Sequence, residues 1–281
     1  MNNNKDFLKL PFTSTVSIKS HYNQEDYNLF IRVPNDYGID NKSYPILVVL
    51  DPNFLFSSLY GINSVAQNYI ICGIGHDGVD FCDLPQKERS DISEIARSRD
   101  FLPFGLDPKI FIEGAPKDLV NLILQCTGKA NDFILLIKNQ IIPFLESNFR
   151  TSHDHTILGH SFGGVFVCFA LLKYPEIFSN YIAISPILDS RYYVQKEMFG
   201  NQYKFSEGRK SNVYIAIGSL EDDDRTANYL QKLKNECRKI TDHEQIIGKF
   251  ELVQGEDHVS VALSGMLRGF RFINNVLKGS L

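Results

Sequence analysis

The sequence predicts an α/β fold, with a mostly parallel central sheet flanked by helices. Three observations carry that reading. Short β-branched apolar runs alternate with longer segments of helical period through most of the chain. Hydrophobic residues make up 43% and charged residues 22%, a balance that supports a large core. The 281 residues fit one α/β domain, since such domains reach about 250 residues or more.

Taken in order, Tyr27 to Val33 reads as an early strand closed by Pro34, Asn35 and Gly38. Ile46 to Leu50 and Tyr69 to Ile74 read as buried strands. Phe133 to Phe149 has helical spacing through Ile134, Ile137, Ile141 and Leu145, with a kink expected at Pro143. Thr156 to Leu158 is a short strand ending at a glycine, followed by an apolar helix over Val165 to Lys173. Tyr181 to Ser185 and Val213 to Ile217 repeat the strand pattern. Thr226 to Cys237 is an amphipathic helix, and Ile246 to Val253 is the last strand. Val259 to Leu277 closes the chain as an amphipathic helix through Leu263, Met266, Leu267, Phe270 and Ile273.

Two stretches break the alternation. Residues 77–130 are polar and punctuated by Pro85, Pro103, Gly105 and Pro116; residues 187–211 are shorter and rich in Tyr and Phe. Long irregular insertions in a domain are commonly lids or binding loops, so both read as excursions over one end of the sheet of a single domain, residues 1–281.

Charge and composition exclude several classes. The net charge of −4 argues against nucleic acid or an anionic membrane as the main partner. No run approaches the roughly 18 apolar residues that span a bilayer. Met1 to Lys9 is Asn-rich and lacks the basic flank and apolar stretch of a secretory signal. Cys72, Cys82, Cys126, Cys168 and Cys237 are widely spaced, without a CxxC pair, and read as reduced thiols of a cytoplasmic protein.

Chemistry concentrates in Gly159-His160-Ser161-Phe162-Gly163-Gly164. The pattern is G-x-S-x-G, preceded by a strand and followed by an apolar helix, the setting that holds a serine on a strained turn with its hydroxyl exposed. Such a serine needs a base. His258, in Gly255-Glu256-Asp257-His258, follows the last strand at the mouth of the last helix, where parallel sheets place their sites. His243 sits in a polar helix-to-strand connection and is set aside. The acid is sought in Glu221-Asp222-Asp223-Asp224 after the strand ending at Ile217. Glu221, nearest the strand end, is the first candidate, Asp222 the second and Asp189 the third. The backbone N–H of Phe162 and that of Asn53 are the candidate oxyanion donors, because Pro52 has none. Asp51, His160, Arg97 and Arg99 are candidate substrate contacts, with ion pairing to Asp100 or Glu94 the competing role of the two arginines. Phe54, Phe56, Phe101, Phe104, Tyr192 and Tyr193 would give the mouth an aromatic lining.

Gly73-Ile74-Gly75-His76-Asp77-Gly78 matches a dinucleotide fingerprint, but Val79 to Pro85 has no helical period after it. His243-Glu244 lacks the second histidine of HExxH, since Ile247 stands there, and no other zinc spacing occurs. Neither a metal nor a cofactor is expected.

An ordered series of residues resembles the esterase D, or putative esterase, family of the α/β-hydrolases, in particular its siderophore-esterase-like subgroup. The series runs Tyr44 to Asp51, Gly73-Ile74-Gly75, Arg97 to Pro103, Ile142-Pro143-Phe144, Phe149-Arg150-Thr151, Gly159 to Gly164, Tyr174-Pro175 with Phe178, Ser185-Pro186, and Gly255 to His258. The resemblance implies an α/β-hydrolase fold, with Ser161 as nucleophile, His258 as base and an acid in the Glu221 loop. Pro52 departs from the glycine common at that place in relatives, and members of the family also vary in their acid, some siderophore esterases working with Ser and His alone. The function expected is hydrolysis of a small-molecule carboxylic ester through an acyl-serine, without a cofactor. Acyl transfer to another acceptor and a non-catalytic binding module are the alternatives.

Overall fold

The structure, a computed structural model, describes residues 10–60, 62, 67–76, 86–111, 115–188, 210–221 and 228–280. Within them eight strands form one sheet: β1 (Thr13–Lys19), β2 (Asp26–Arg32), β3 (Ile46–Leu50), β4 (Ile70–His76), β5 (Thr156–His160), β6 (Asn180–Ile184), β7 (Ser211–Gly218) and β8 (Ile246–Val253). Their spatial order is β1-β2-β4-β3-β5-β6-β7-β8. The β1–β2 and β2–β4 pairings are antiparallel, and all others are parallel. Every residue of β3, β5, β6 and β7 is buried, as expected of parallel strands covered on both faces. This is the mostly parallel, helix-flanked sheet predicted from the sequence.

The described helices are α1 (Pro52–Tyr60), α2 (Gln86–Phe101), α3 (Lys117–Cys126), α4 (Ala130–Leu136), α5 (Ile142–Asn148), α6 (Phe162–Lys173), α7 (Tyr229–Thr241) and α8 (Val261–Leu277). On one face of the sheet Leu55 and Leu59 of α1 and Met266, Phe270 and Ile273 of α8 pack over Leu47, Val49, Leu158 and Ile182. On the other, Phe133, Phe166, Leu171 and Leu233 join Val48, Leu50, Ile157 and Ile215. Alternate residues of a strand point to opposite faces, so β3 feeds both cores at once.

The expected strands stand within two residues of their predicted ends, but three features went unforeseen. β1 is an edge strand of mostly polar residues, recognisable only through its full pairing with β2. The kink expected at Pro143 is a π-turn over Ile137–Ile141, where the Ile142 N–H reaches the Ile137 carbonyl five residues back. The stretch 77–130, read as irregular, contains α2 and α3. α2 hid because it is dominated by charged and polar residues; what fixes it is burial of Ala96, Ser98, Asp100 and Phe101. Most of residues 187–211, with Tyr192, Tyr193, Phe199, Tyr203 and Phe205, lie outside the described residues, as does Cys82.

Candidate active site

Ser161 sits between β5 and α6 with φ 58° and ψ −119°, a left-handed conformation that is strained for a residue with a side chain. Two contacts hold it there: its N–H donates to the Ile184 carbonyl of β6 at 2.9 Å, and its carbonyl accepts from the Val165 N–H at 3.0 Å. The glycines are steric requirements. A Cβ at Gly159 would lie 2.3 Å from the Gly163 carbonyl oxygen, and one at Gly164 would lie 2.8 Å from the Ile184 carbonyl oxygen. At Gly163 a Cβ would meet only ordinary contacts, the nearest at 3.4 Å. The first motif glycine, Gly159, is therefore demanded by the backbone of the second, Gly163, and the second less by its own missing side chain.

His258 follows β8 and presents both ring nitrogens. Its Nε2 lies 3.0 Å from Ser161 Oγ, and its Nδ1 lies 2.8 Å from Glu221 Oε2. Glu221 is buried, and its second oxygen accepts from Ser185 Oγ and from the Gly218 N–H. Burial would raise this carboxyl, but the hydrogen bonds from His258, Ser185 and Gly218 outweigh it and hold the group below its ordinary range. It therefore stays ionised at neutral pH, an acceptor suited to an Nδ1–H. Asp222 and Asp189, the other candidate acids, lie outside the described residues.

A cleft of about 330 Å³ opens on these groups, lined by Asp51, Asn53, Phe54, Ser93, Arg97, His160, Ser161, His258 and Val259. It thus gathers Asn53, Asp51, Arg97 and His160 around Ser161. The helix starting at Phe162 and the one starting at Pro52 both begin at this mouth, where the first-turn N–H groups of Phe162 and Asn53 have no carbonyl of their own helix to meet. His160 directs Nε2 at the His258 carbonyl oxygen, 2.6 Å away, and its ring lies tilted against that of His258 with centroids 4.9 Å apart. Burial first, and the neighbouring His258 second, push its pKa down to about 4, so the ring is neutral and its Nε2–H is the donor.

Arg99 is not part of this cleft. Its guanidinium is bound to Asp100, at 2.7 Å, and to Glu25, at 2.8 Å, and it lines a separate hollow with Glu25, Asp26 and His76. The pairing expected of it with Asp100 is present, whereas Arg97 pairs with Asp51 and Glu94. The aromatic mouth shrinks likewise: Phe101 and Phe56 are core, Phe104 is partly buried, and Phe54 alone among the described candidates lines the cleft. Gly73 and Gly75 lie inside β4, paired with Phe30 and Asn28, and not at a strand-to-helix turn. Ser185 was noted in the sequence without a role. Its φ of 45° and its hydroxyl on Glu221 give it one, and only the strand-end position of Ser185-Pro186 could have hinted at it.

Sheet order, strained serine turn and the Ser161–His258–Glu221 geometry define an α/β-hydrolase of the serine type. The "Putative esterase" family model matches residues 122–262, half of the chain, and the chain belongs to that esterase family: it is a serine hydrolase acting on carboxylic esters. Among curated proteins it is similar to the ferri-bacillibactin esterase BesA of Bacillus subtilis, 24% identical over 276 residues that cover 94% of this chain and 90% of that one. The BES protein crystal structure from Bacillus cereus superposes with a TM-score of 0.75 at 22% identity, covering 97% of this chain and 98% of that chain. Siderophore hydrolase EstA from Aspergillus nidulans gives 0.72 at 19% identity, covering 96% and 98%.

Proposed function

We propose that the chain cleaves a small-molecule ester of the siderophore type, with Ser161 as nucleophile, His258 as general base and Glu221 as the orienting acid. The observation that carries this is the placement of one imidazole within 3.0 Å of the serine hydroxyl and 2.8 Å of a buried carboxylate. His258 Nε2 takes the hydroxyl proton as Oγ attacks the ester carbonyl, while Glu221 holds Nδ1–H and stabilises the imidazolium that forms. The N–H groups of Phe162 and Asn53 receive the oxyanion. The imidazolium then protonates the leaving alkoxide, and water activated by His258 releases the acid from the acyl-serine. No step calls for a cofactor.

The substrate class rests on the relatives, whose names describe siderophore esterases and hydrolases. Among the described residues no helix is long and apolar enough to cross a membrane, and Cys72, Cys126, Cys168 and Cys237 are free thiols. Those thiols favour a reducing, cytoplasmic workplace.

The test is steady-state hydrolysis of p-nitrophenyl esters and of a catecholate trilactone, with fluorophosphonate labelling alongside. Wild type should turn over both and label at Ser161, and Ser161→Ala should do neither. Labelling with turnover of simple esters but not of the trilactone would reject the siderophore class and keep the esterase. Absence of both labelling and turnover in wild type would reject the mechanism.

A further inference from the structure

The sheet ends at β1 on one side and at β8 on the other. An edge strand leaves a row of N–H and C=O groups without a neighbour and is a template for pairing with another chain. β8 is eight residues long, Ile-Ile-Gly-Lys-Phe-Glu-Leu-Val, and pairs with β7 along its whole length. Among the described residues nothing pairs with its outer side.

Helix cover stops short of β8 on one face. Gly265 and Gly269 seat α8 against Ile184, Ala216, Ile182 and Tyr214, which belong to β6 and β7. Ile247 and Lys249 are exposed, Ile247 by 38%. The register of β8 on β7 sets Lys249 beside Tyr214 and Glu251 beside Ala216, so Ile247, Lys249, Glu251 and Val253 share the α8 face. Phe250 and Leu252 point to the other face, where the Arg238 guanidinium of α7 lies 5.6 Å from the centre of the Phe250 ring.

The order on the α8 face is apolar, cation, anion, apolar, and it is complementary to its own reverse. In an antiparallel pair related by a two-fold axis, directly opposite side chains share a face, so the axis passes through a residue. With the axis at Phe250, Lys249 meets the partner's Glu251 and Ile247 meets the partner's Val253, and each contact occurs twice. On the other face the two Phe250 rings meet, and Leu252 faces the partner's Gly248. An axis at Lys249 or at Glu251 would set a charge against itself. β1, the other edge, has Lys19 as its one charged residue and offers no such match.

The charges are also held in place. Lys249 Nζ lies 3.1 Å from Glu251 within the strand, and Glu251 accepts from Tyr214 Oη at 2.9 Å and from Arg268. A partner strand would therefore meet an ordered pair, with little side-chain entropy left to lose.

We infer that β8 is an interface between two copies of this chain, joined edge to edge in an antiparallel pairing centred on Phe250, so that the sheet continues from one protomer into its partner. The two β8 strands run in opposite directions, so the two Ser161 clefts open toward opposite ends of the joint sheet. Each site is complete within one protomer, and the pairing is independent of the ester that is cleaved.

The experiment is sedimentation velocity over a micromolar concentration series for wild type, Lys249→Glu, Ile247→Lys, Lys249→Arg and Thr15→Lys, the last adding a cation to β1. Wild type should sediment at twice the chain mass of 32.0 kDa. Lys249→Glu sets acid against acid at both symmetric places, and Ile247→Lys sets a cation against the partner's Val253. Each should weaken the dimer by about 10-fold or more. Lys249→Arg and Thr15→Lys should leave it intact. Register is read by mild oxidation: Phe250→Cys should give an intermolecular disulfide, and Ile247→Cys should not, because its two copies would lie about 20 Å apart. Urea unfolding and turnover of p-nitrophenyl butyrate should match wild type in the charge variants.

A wild type that stays monomeric through the series would overturn the pairing. So would a dimer that Lys249→Glu and Ile247→Lys both leave intact, or one that Thr15→Lys dissolves. A crosslink through Ile247→Cys but not through Phe250→Cys would reject the register. Should urea unfolding show Lys249→Glu to be misfolded, Ile247→Lys and the Phe250→Cys crosslink decide the question between them.

Discussion

The imidazole of His160 donates Nε2–H to the backbone carbonyl of His258 at 2.6 Å, joining two residues 98 apart in sequence. The histidine beside the proposed nucleophile thus anchors the loop that bears the proposed base. Its ring sits between His258 and Phe54, with centroid separations of 4.9 Å and 5.9 Å. Gln or Phe at this place should therefore disturb the base without touching the serine.

That burial has a pH signature. The folded pKa of His160 is about 4 against 6.5 for the free side chain, so between these values the unfolded chain binds the extra proton. Stability is full above pH 6.5 and falls as pH drops toward 4, by on the order of 3 kcal/mol from this residue. His155, also lowered chiefly by burial, adds to the same limb. His160→Phe should flatten the fall without abolishing it, read from urea midpoints at pH 7 and pH 4.5. An unchanged pH 7-to-4.5 difference would contradict the assignment.

Glu221→Gln keeps the shape of the side chain but reverses what His258 Nδ1 meets. We expect kcat to fall by about 10,000-fold with KM little changed, as when the orienting carboxylate of a triad becomes an amide. The carboxylate's lowered pKa contributes stability above the ordinary range of glutamate, and that stability is lost as pH falls through the folded value. The variant should accordingly lose stability at pH 7 more than at pH 3. Retention of more than a tenth of wild-type kcat would move the acid elsewhere.

Ser185→Ala removes one donor from the buried Glu221 oxygen and leaves the Gly218 N–H in place. The cost should be about 1–3 kcal/mol, since a buried charged acceptor loses a partner. With Glu221 as the proposed orienting acid, kcat should drop by about 10-fold. Thermal melts and kinetics on one preparation check both, and a stability loss without any kinetic loss would confine Ser185 to a structural role.

Gly159→Ala and Gly163→Ala offer a contrast within one motif. The first places a methyl 2.3 Å from the Gly163 carbonyl oxygen and should abolish soluble, active protein. The second meets nothing nearer than 3.4 Å and should fold, with stability within about 1 kcal/mol of wild type. Equal behaviour of the two would refute the steric account of the turn.

Local pattern determined much of this protein. An apolar run of five residues, Ile46 to Leu50, three of them β-branched, declares a buried strand because burial on both faces removes any need for alternation. Gly159 to Gly164 declares the serine turn because its tightest contact, Gly159 against the Gly163 carbonyl, lies within the motif, so motif spacing encodes it. The order of nucleophile, acid loop and histidine followed from the order of the parallel strands. Helix α2 escaped notice because its periodicity is drowned by charge, and its fixing contacts, such as Asp100 with Tyr27, span 73 positions.

What only the tertiary structure decided is which polar group answers which. Glu221 meets His258 because β7 and β8 run parallel and in register, bringing residues 37 apart in sequence to 2.8 Å. Arg97 meets Asp51 at the end of β3, while Asp100, three residues further along α2, is already taken by Arg99, Tyr27 and His76. Ionic and hydrogen-bonding groups are interchangeable to a sequence pattern and are made specific by geometry. The sequence therefore determined the fold, the strained serine and the order of its partners, and the packing of distant elements decided the couplings that tune them.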